Sequence, residues 1–189
     1  MVSDEDLAGA VTAAARGDEA GFATVWRALQ PAVLRYLRVV VGDAAEDVAS
    51  ETWLQAARDL QRFTGGPMAF RGWLFGIARH RALDHRRHAA RRREESAGWF
   101  QDTAGAPAPD AAADAMERSG TAWALRLIAT LPPDQAEAVT LRVVAGLDVA
   151  TTAQVLGKRP GSVRVATMRG LRRLAAHPEV VAMEERMRE

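Results

Sequence analysis

Two small all-α domains joined by a flexible linker, the second containing a helix-turn-helix, are expected from three features of the 189-residue sequence. Apolar residues recur at spacings of three and four, the period of a helix with one buried face, and nowhere alternate as a strand would require. Glycines, prolines and short polar residues divide the chain into helix-length pieces. The stretch GWFQDTAGAPAPDAAADAME, rich in Gly, Pro, Ala and acids, has no sustained period and separates the two halves. The expected division is an N-terminal segment 1–19, a first domain 20–93, an acidic linker 94–117, a second domain 118–178 and a tail 179–189.

Each element follows from local chemistry. A helix is expected from Asp4 to Arg16, with Gly17-Asp18 acting as a stop and a cap. The set Phe22, Val25, Trp26, Leu29, Val33, Leu37 and Val40 marks the next helix, with a kink or break expected at Pro31. Gly42-Asp43 should stop and cap again, opening a helix to Leu60 that buries Val48, Thr52, Ala56 and Leu60. The opposite side of that helix carries Glu46, Asp47, Ser50 and Glu51. Phe63-Thr64-Gly65-Gly66-Pro67 reads as a loop, because two glycines and a proline cost too much inside a helix. A long helix from Ala69 to Arg93 follows.

Beyond the linker a helix resumes near Ser119 and ends at Pro132-Pro133. Asp134 is expected to cap a helix holding Ala136, Val139 and Val143, stopped by Gly146. Asp148 caps Val149 to Leu156, Gly157 makes a tight turn, and Pro160 suits the first turn of a helix reaching Ala176. The tail is expected to add an amphipathic turn or two.

Composition narrows the function classes. With no Cys, disulfides, thiolate metal sites and thiol nucleophiles are excluded. No apolar run nears the roughly 18 to 20 residues that span a bilayer, and the N-terminus MVSDEDLAGA is acidic where a signal peptide is basic. A soluble, cytoplasmic protein is expected. A net charge of +1 conceals strong segregation. Arg71 to Arg93 holds eight Arg and three His against Asp84 alone; Glu94 to Glu117 holds six acids and no Lys or Arg. Val149 to Pro178 has no acid but carries Lys158, Arg159, Arg164, Arg169, Arg172 and Arg173.

Two helices joined by a Gly-containing turn, the second basic and free of acids, form a helix-turn-helix candidate for duplex DNA. In such a unit the second helix enters the major groove, where Arg pairs with both acceptors of guanine. Ser162, Arg164, Thr167 and Met168 are the candidates for base edges. Arg169, Arg172 and Arg173 suit phosphates, which position without reading sequence. Val163, Leu171 and Leu174 are expected to be buried whatever the function. The other basic block, FRGWLFGIARHRALDHRRHAARRR, mixes rings and arginines, as the handling of unpaired bases requires. Stacking a base on a ring contributes about 1 to 3 kcal/mol, against a few kcal/mol for extracting it from the duplex. Leu74 and Ile77 read as core, whereas Trp73 suits either core or stacking. No Gly-rich phosphate loop, Ser elbow or metal-ligand spacing is present, and all four His lie in or beside basic blocks. Neither an enzyme nor a cofactor is expected.

Three segments together resemble the extracytoplasmic-function sigma factors of the bacterial sigma-70 family. Residues 43–57, DAAEDVASETWLQAA, look like their polymerase-binding segment, and FRGWLFGIARHRALDHRRH resembles the segment that melts and reads the -10 element. LPPDQAEAVTLRVVAGLDVATTAQVLGKRPGSVRVATMRGLRRL is similar to their C-terminal domain, whose helix-turn-helix reads the -35 element. The resemblance spans about residues 20–92 and 119–176, in the family's order.

It implies that Glu46, Asp47, Ser50, Glu51 and Gln55 face the β′ clamp helices of core RNA polymerase, with the β flap a further contact of the protein. It implies a -10 surface of Arg62, Phe63, Thr64, Met68, Phe70, Arg71, Trp73, Arg79, His80, Arg86 and Arg87. The loop from Arg62 to Phe70 would capture a flipped base. The -35 surface would comprise Lys158, Arg159, Ser162, Arg164, Thr167, Met168, Arg169, Arg172 and Arg173. An anti-sigma factor is a further implied partner. Ser50, His80, Pro160, Ala166 and Thr167 depart from residues common in the family, which bears on the promoter sequence read and not on the role. The competing reading is a helix-turn-helix repressor or activator that works without polymerase. As separate domains on a linker, the two halves are expected to move independently.

Overall fold

The computed structural model describes residues 3–96 and 120–188, and every regular element among them is helical. Helix α1 (Asp4–Ala15) starts at Ser3, whose hydroxyl accepts the Asp6 amide at 3.1 Å, and buries Leu7, Val11 and Ala14. Three acids in its first turn complement the positive end of the helix dipole. Helix α2 (Glu19–Val41) is capped as expected by Asp18, which accepts the Gly21 amide at 2.8 Å. The crossing of α1 and α2 requires glycine: a β-carbon on Gly21 would lie 2.8 Å from that of Ala13. Of the kink or break expected at Pro31, the break does not occur: α2 runs on through it. Leu29 and Val33, on either side of it, are both buried in one core, and that packing outweighs the proline penalty of about 3 kcal/mol.

Helix α3 (Ala45–Asp59) buries Val48, Thr52 and Ala56, with Leu60 buried just beyond it, as the spacing requires. Its start differs from expectation: Gly42–Ala44 make a single 3-10 turn and no side chain caps the helix. Helix α4 (Pro67–Ser96) is about 45 Å long at 1.5 Å per residue. It begins at Pro67, inside the segment expected to be loop, because proline is tolerated in a first turn. Phe70, Leu74, Phe75, Ala78 and Ala82 are its buried side. Residues 94–96 of the expected linker complete α4, and 97–117 lie outside the described residues.

The C-terminal module comprises α5 (Gly120–Ala129), α6 (Pro133–Val139) with a π turn at Thr140–Val144, α7 (Val149–Leu156), α8 (Pro160–Ala175) and α9 (Pro178–Arg188). Pro132, not Asp134, occupies the cap position of α6, so Asp134 lies within its first turn. Asp148 caps α7 through the Thr151 amide at 2.6 Å, and Gly157 closes it in the left-handed region at φ +63°. The tail forms a full helix rather than a turn or two.

The two expected modules are both present, and they pack against each other. One apolar cluster runs from Val25, Leu29 and Phe75 into Ala138, Leu141, Leu147, Ala153 and Val163. α4 lies against α7, while α2 meets α5, α6 and the π turn. A smaller cluster of Ile128, Leu131, Ala136 and Val139 also takes in Val39 of α2.

Candidate polymerase and nucleic-acid interfaces

The outer face of α3 presents Glu46, Asp47, Ser50 and Glu51 to solvent. Glu46 pairs with Arg38 at 3.5 Å, and the Ser50 hydroxyl donates to the Glu46 carbonyl at 3.0 Å. Gln55 is turned inward: its Oε1 accepts from Arg81 Nε at 2.9 Å, and its amide donates to Asp59 at 3.4 Å. It therefore braces α3 against α4 rather than standing in the exposed row. Two apolar residues stand in solvent beside this row: Leu54 at 59% exposure, which sequence reasoning passed over, and Trp26 of α2 at 42%, which corrects its place in the apolar set of that helix. Together with Phe22, Gln30, Ser50, Trp53 and Ala57 they line a shallow depression between α2 and α3. The signal for Leu54 was available, since it continues the spacing of Asp47, Ser50 and Glu51 along the exposed side.

At the start of α4, three rings interlock. Phe63 lies 5.3 Å from Phe70 and 5.2 Å from Trp73, and Phe70 lies 5.5 Å from Trp73. Phe70 is wholly buried, which corrects its assignment to the DNA surface: it is the floor on which the half-buried Phe63 and Trp73 rest. Gly65 is held at φ +150°, and a β-carbon there would lie 3.0 Å from that of Ala69 and 3.1 Å from the Phe63 ring, a tight fit. Arg62 and Thr64 are exposed and Met68 is half-buried beside the rings.

Farther along α4, Arg71 pairs with Asp4 at 3.5 Å, Arg87 with Asp84 at 3.3 Å, and His80 lies 3.6 Å from Asp84. Arg86 is exposed. Arg79 instead points into the contact between modules and donates to Glu137 at 3.1 Å. Glu137 also accepts the Tyr36 hydroxyl at 3.1 Å. Burial first, and then the Glu137 carboxylate, push the Tyr36 phenol well above its ordinary range, with Arg79 opposing.

Ser162, Arg164, Met168, Arg169, Arg172 and Arg173 are exposed on α8, as is Val165, with Lys158 and Arg159 exposed in the preceding turn. Thr167 is corrected: its hydroxyl oxygen is buried and makes no hydrogen bond among the described residues, so it does not face a groove. The buried stripe is Val163, Ala166 and Gly170, with Leu174 half-buried; Leu171, expected in the core, is 43% exposed. Gly170 sets this line. A β-carbon there would lie 2.7 Å from Val139 Cγ2, so α8 approaches α6 at that residue and turns Leu171 outward. The Asp148 carboxyl that caps α7 is held below its usual range, chiefly by hydrogen bonding with Thr151.

A helical module with an acidic and apolar outer face and a ring-and-arginine helix, together with a basic helix-turn-helix, is the architecture of a DNA-binding protein. The family model of Sigma-70 region 2 matches residues 25–92, and that of Sigma-70 region 4 matches residues 121–174. The ECF RNA polymerase sigma factor SigD of Mycobacterium tuberculosis is 35% identical over 189 residues, covering 94% of this chain and 85% of that one. The ECF RNA polymerase sigma factor BldN of Streptomyces coelicolor is 35% identical over 167 residues, which is 87% of this chain and 63% of BldN. Among solved structures, the sigma factor RpoE of Bartonella quintana, in complex with the anti-sigma factor NepR, superposes with a TM-score of 0.65. That match covers 82% of this chain and 94% of RpoE at 23% identity, a likeness of fold. The chain belongs to the extracytoplasmic-function sigma factors of RNA polymerase.

Proposed function

We propose that this chain binds core RNA polymerase through α3 and directs it to promoters by reading a -35 element with α8 and a -10 element with the start of α4. One observation carries this reading over that of a stand-alone repressor. The α3 face keeps Asp47, Ser50, Glu51 and Leu54 in solvent, on the helix opposite its buried stripe, although a repressor needs no such face. Acids flanking an exposed leucine suit a basic, partly apolar helical partner such as the β′ clamp helices.

The -10 surface in this reading consists of Arg62, Phe63, Thr64, Met68, Arg71, Trp73, Arg79, His80, Arg86 and Arg87. Phe70 acts only as a support. Trp73 and Phe63 supply ring faces for an unstacked base, and the arginines supply phosphate contacts. The -35 surface consists of Lys158, Arg159, Ser162, Arg164, Met168, Arg169, Arg172 and Arg173. The role is regulatory rather than catalytic, its place is the cytoplasm with the polymerase, and an anti-sigma factor is a fitting partner. Charge reversal of Asp47 and Glu51 together is expected to abolish competition for core polymerase. Folding stability should change by less than about 0.5 kcal/mol per exposed site. Undiminished competition by the double variant refutes the assignment of α3.

A further inference from the structure

With Thr167 turned inward, the solvent side of α8 has two aliphatic side chains at its centre, Val165 at 42% exposure and Met168 at 44%. A helix turns by about 100° per residue, which puts both roughly 150° away from the inward line of Val163, Ala166, Gly170 and Leu174. Three residues apart, they are neighbours on the helix surface. Arg164 borders them on one side and Arg169 on the other, and Arg172 continues the row one turn on. Val165 also lies in the first half of α8, the part of a groove-entering helix that meets base edges. An aliphatic side chain makes no hydrogen bond, so the group it can read in the major groove is the thymine 5-methyl. A protein partner is the other possible occupant of an exposed apolar patch. The surroundings favour DNA: from Val149 to Pro178 the chain carries no acid, and arginines around the patch suit a groove walled by phosphates.

We propose that Val165, with Met168 beside it, covers the methyl group of a thymine in the upstream element, so that the element holds an A·T pair close to the guanine assigned to Arg164. The proposal rests on the placement of α8 in the -35 groove above and adds to it a reader that carries no charge. Arginine forks onto both acceptors of one guanine. Valine against a methyl separates thymine from cytosine, whose C5 carries only hydrogen. Withdrawing one methyl-sized group from water favours binding by about fourfold, enough to rank one base above another at that position.

Uracil in place of thymine removes that methyl and leaves the base pair and its other groove atoms unchanged. The probe is therefore a promoter selected by wild-type holoenzyme from random templates, with each thymine of the upstream element, on either strand, replaced by uracil in turn. These positions lie outside the transcribed region, and holoenzyme binding is read by mobility shift. Wild type is expected to lose about fourfold at one position. Val165→Ala should bind the thymine and uracil templates equally there, and Val165→Ile, which keeps a branched aliphatic end, should retain the difference. Helix content and competition for core polymerase should be unchanged in both variants, since Val165 stands in solvent. A selected element without an A·T pair, or a wild type that responds to no uracil, overturns the proposal without need of any variant. So does a Val165→Ala holoenzyme that keeps the wild-type difference. An equal loss by Val165→Ala on every template, a scrambled element included, marks a protein contact instead and also overturns it. Scrambling separates the two levels of the argument. A wild type indifferent to scrambling refutes the -35 assignment of α8 itself, whereas one that responds to scrambling but to no uracil refutes only the thymine contact.

Discussion

Arg164 and Arg172 stand two turns apart on α8 and are both exposed, and in the proposed -35 reading their positions would give them different work. Residues near the start of a groove-entering helix reach base edges, and those farther along meet the backbone. Arg164→Ala in the holoenzyme is expected to cost about 1 to 3 kcal/mol on the preferred upstream element and to relax choice at one base pair. Arg172→Ala should weaken all promoters alike and lower the salt slope by about one. Promoters with single changes in the upstream element separate the two effects, and an exchange of phenotypes would contradict this placement. Tyr36 allows a second test, because it is the only tyrosine in the chain. Its phenol is raised above the ordinary value near 10 by burial and by Glu137. A neutral acid favoured by folding contributes fully below its unfolded pKa, and that contribution is lost as pH rises through and beyond about 10. Stability should therefore decline on the alkaline side, and the decline should be shallower in Tyr36→Phe. Phenolate absorbance that appears at the ordinary pH in the folded protein would contradict the burial argument.

At the scale of elements, what the sequence made legible was local. Ser, Asp and Gly at helix ends act within a few residues of themselves, so the Asp18 and Asp148 caps, the Gly157 turn and the Pro160 start could all be read directly. The continuity of α2 through Pro31 could not, because it depends on what Leu29 and Val33 meet in three dimensions. The outward turn of Leu171 has the same origin: helical spacing admits several buried stripes on α8, and the close approach at Gly170 selects among them. Two glycines in helix interiors test this. Gly170→Ala drives a methyl against the buried Val139 and is expected to destabilise by about 1 to 3 kcal/mol. Gly76→Ala meets nothing within 4 Å and should be neutral or stabilising by up to about 1 kcal/mol, as helix propensity predicts. Denaturant unfolding of the two variants gives the comparison; equal effects would mean that α8 does not lie this close to α6.

Over the whole molecule, the sequence disclosed two modules and their order but not their contact. The residues that make it, Gly72, Thr151, Tyr36 and Glu137, carry no local signal. Glu137, one of two acids on α6, reads as solubility until Arg79 is found opposite it. The exposed face of α3 was legible in its acids, which lie in one row, and by spacing in Leu54; Trp26 was not, since its helical spacing put it with the apolar set of α2 until burial was known. A closed chain of this length should have a radius of gyration near 16 Å, from the usual scaling with residue number. Small-angle scattering of the free protein checks this, and a distinctly larger value would mean separated modules. The central claim, that this chain confers promoter choice on RNA polymerase, is tested most directly by transcription in vitro. Core polymerase, inactive alone on a pool of linear bacterial genomic fragments, is supplied with the purified protein and the transcript starts are mapped. The expected result is a limited set of starts that share two upstream elements about two helical turns apart and vanish with the Asp47 and Glu51 charge reversal. Tight binding to duplex DNA by the chain alone, with no new starts in the presence of core polymerase, would contradict the account.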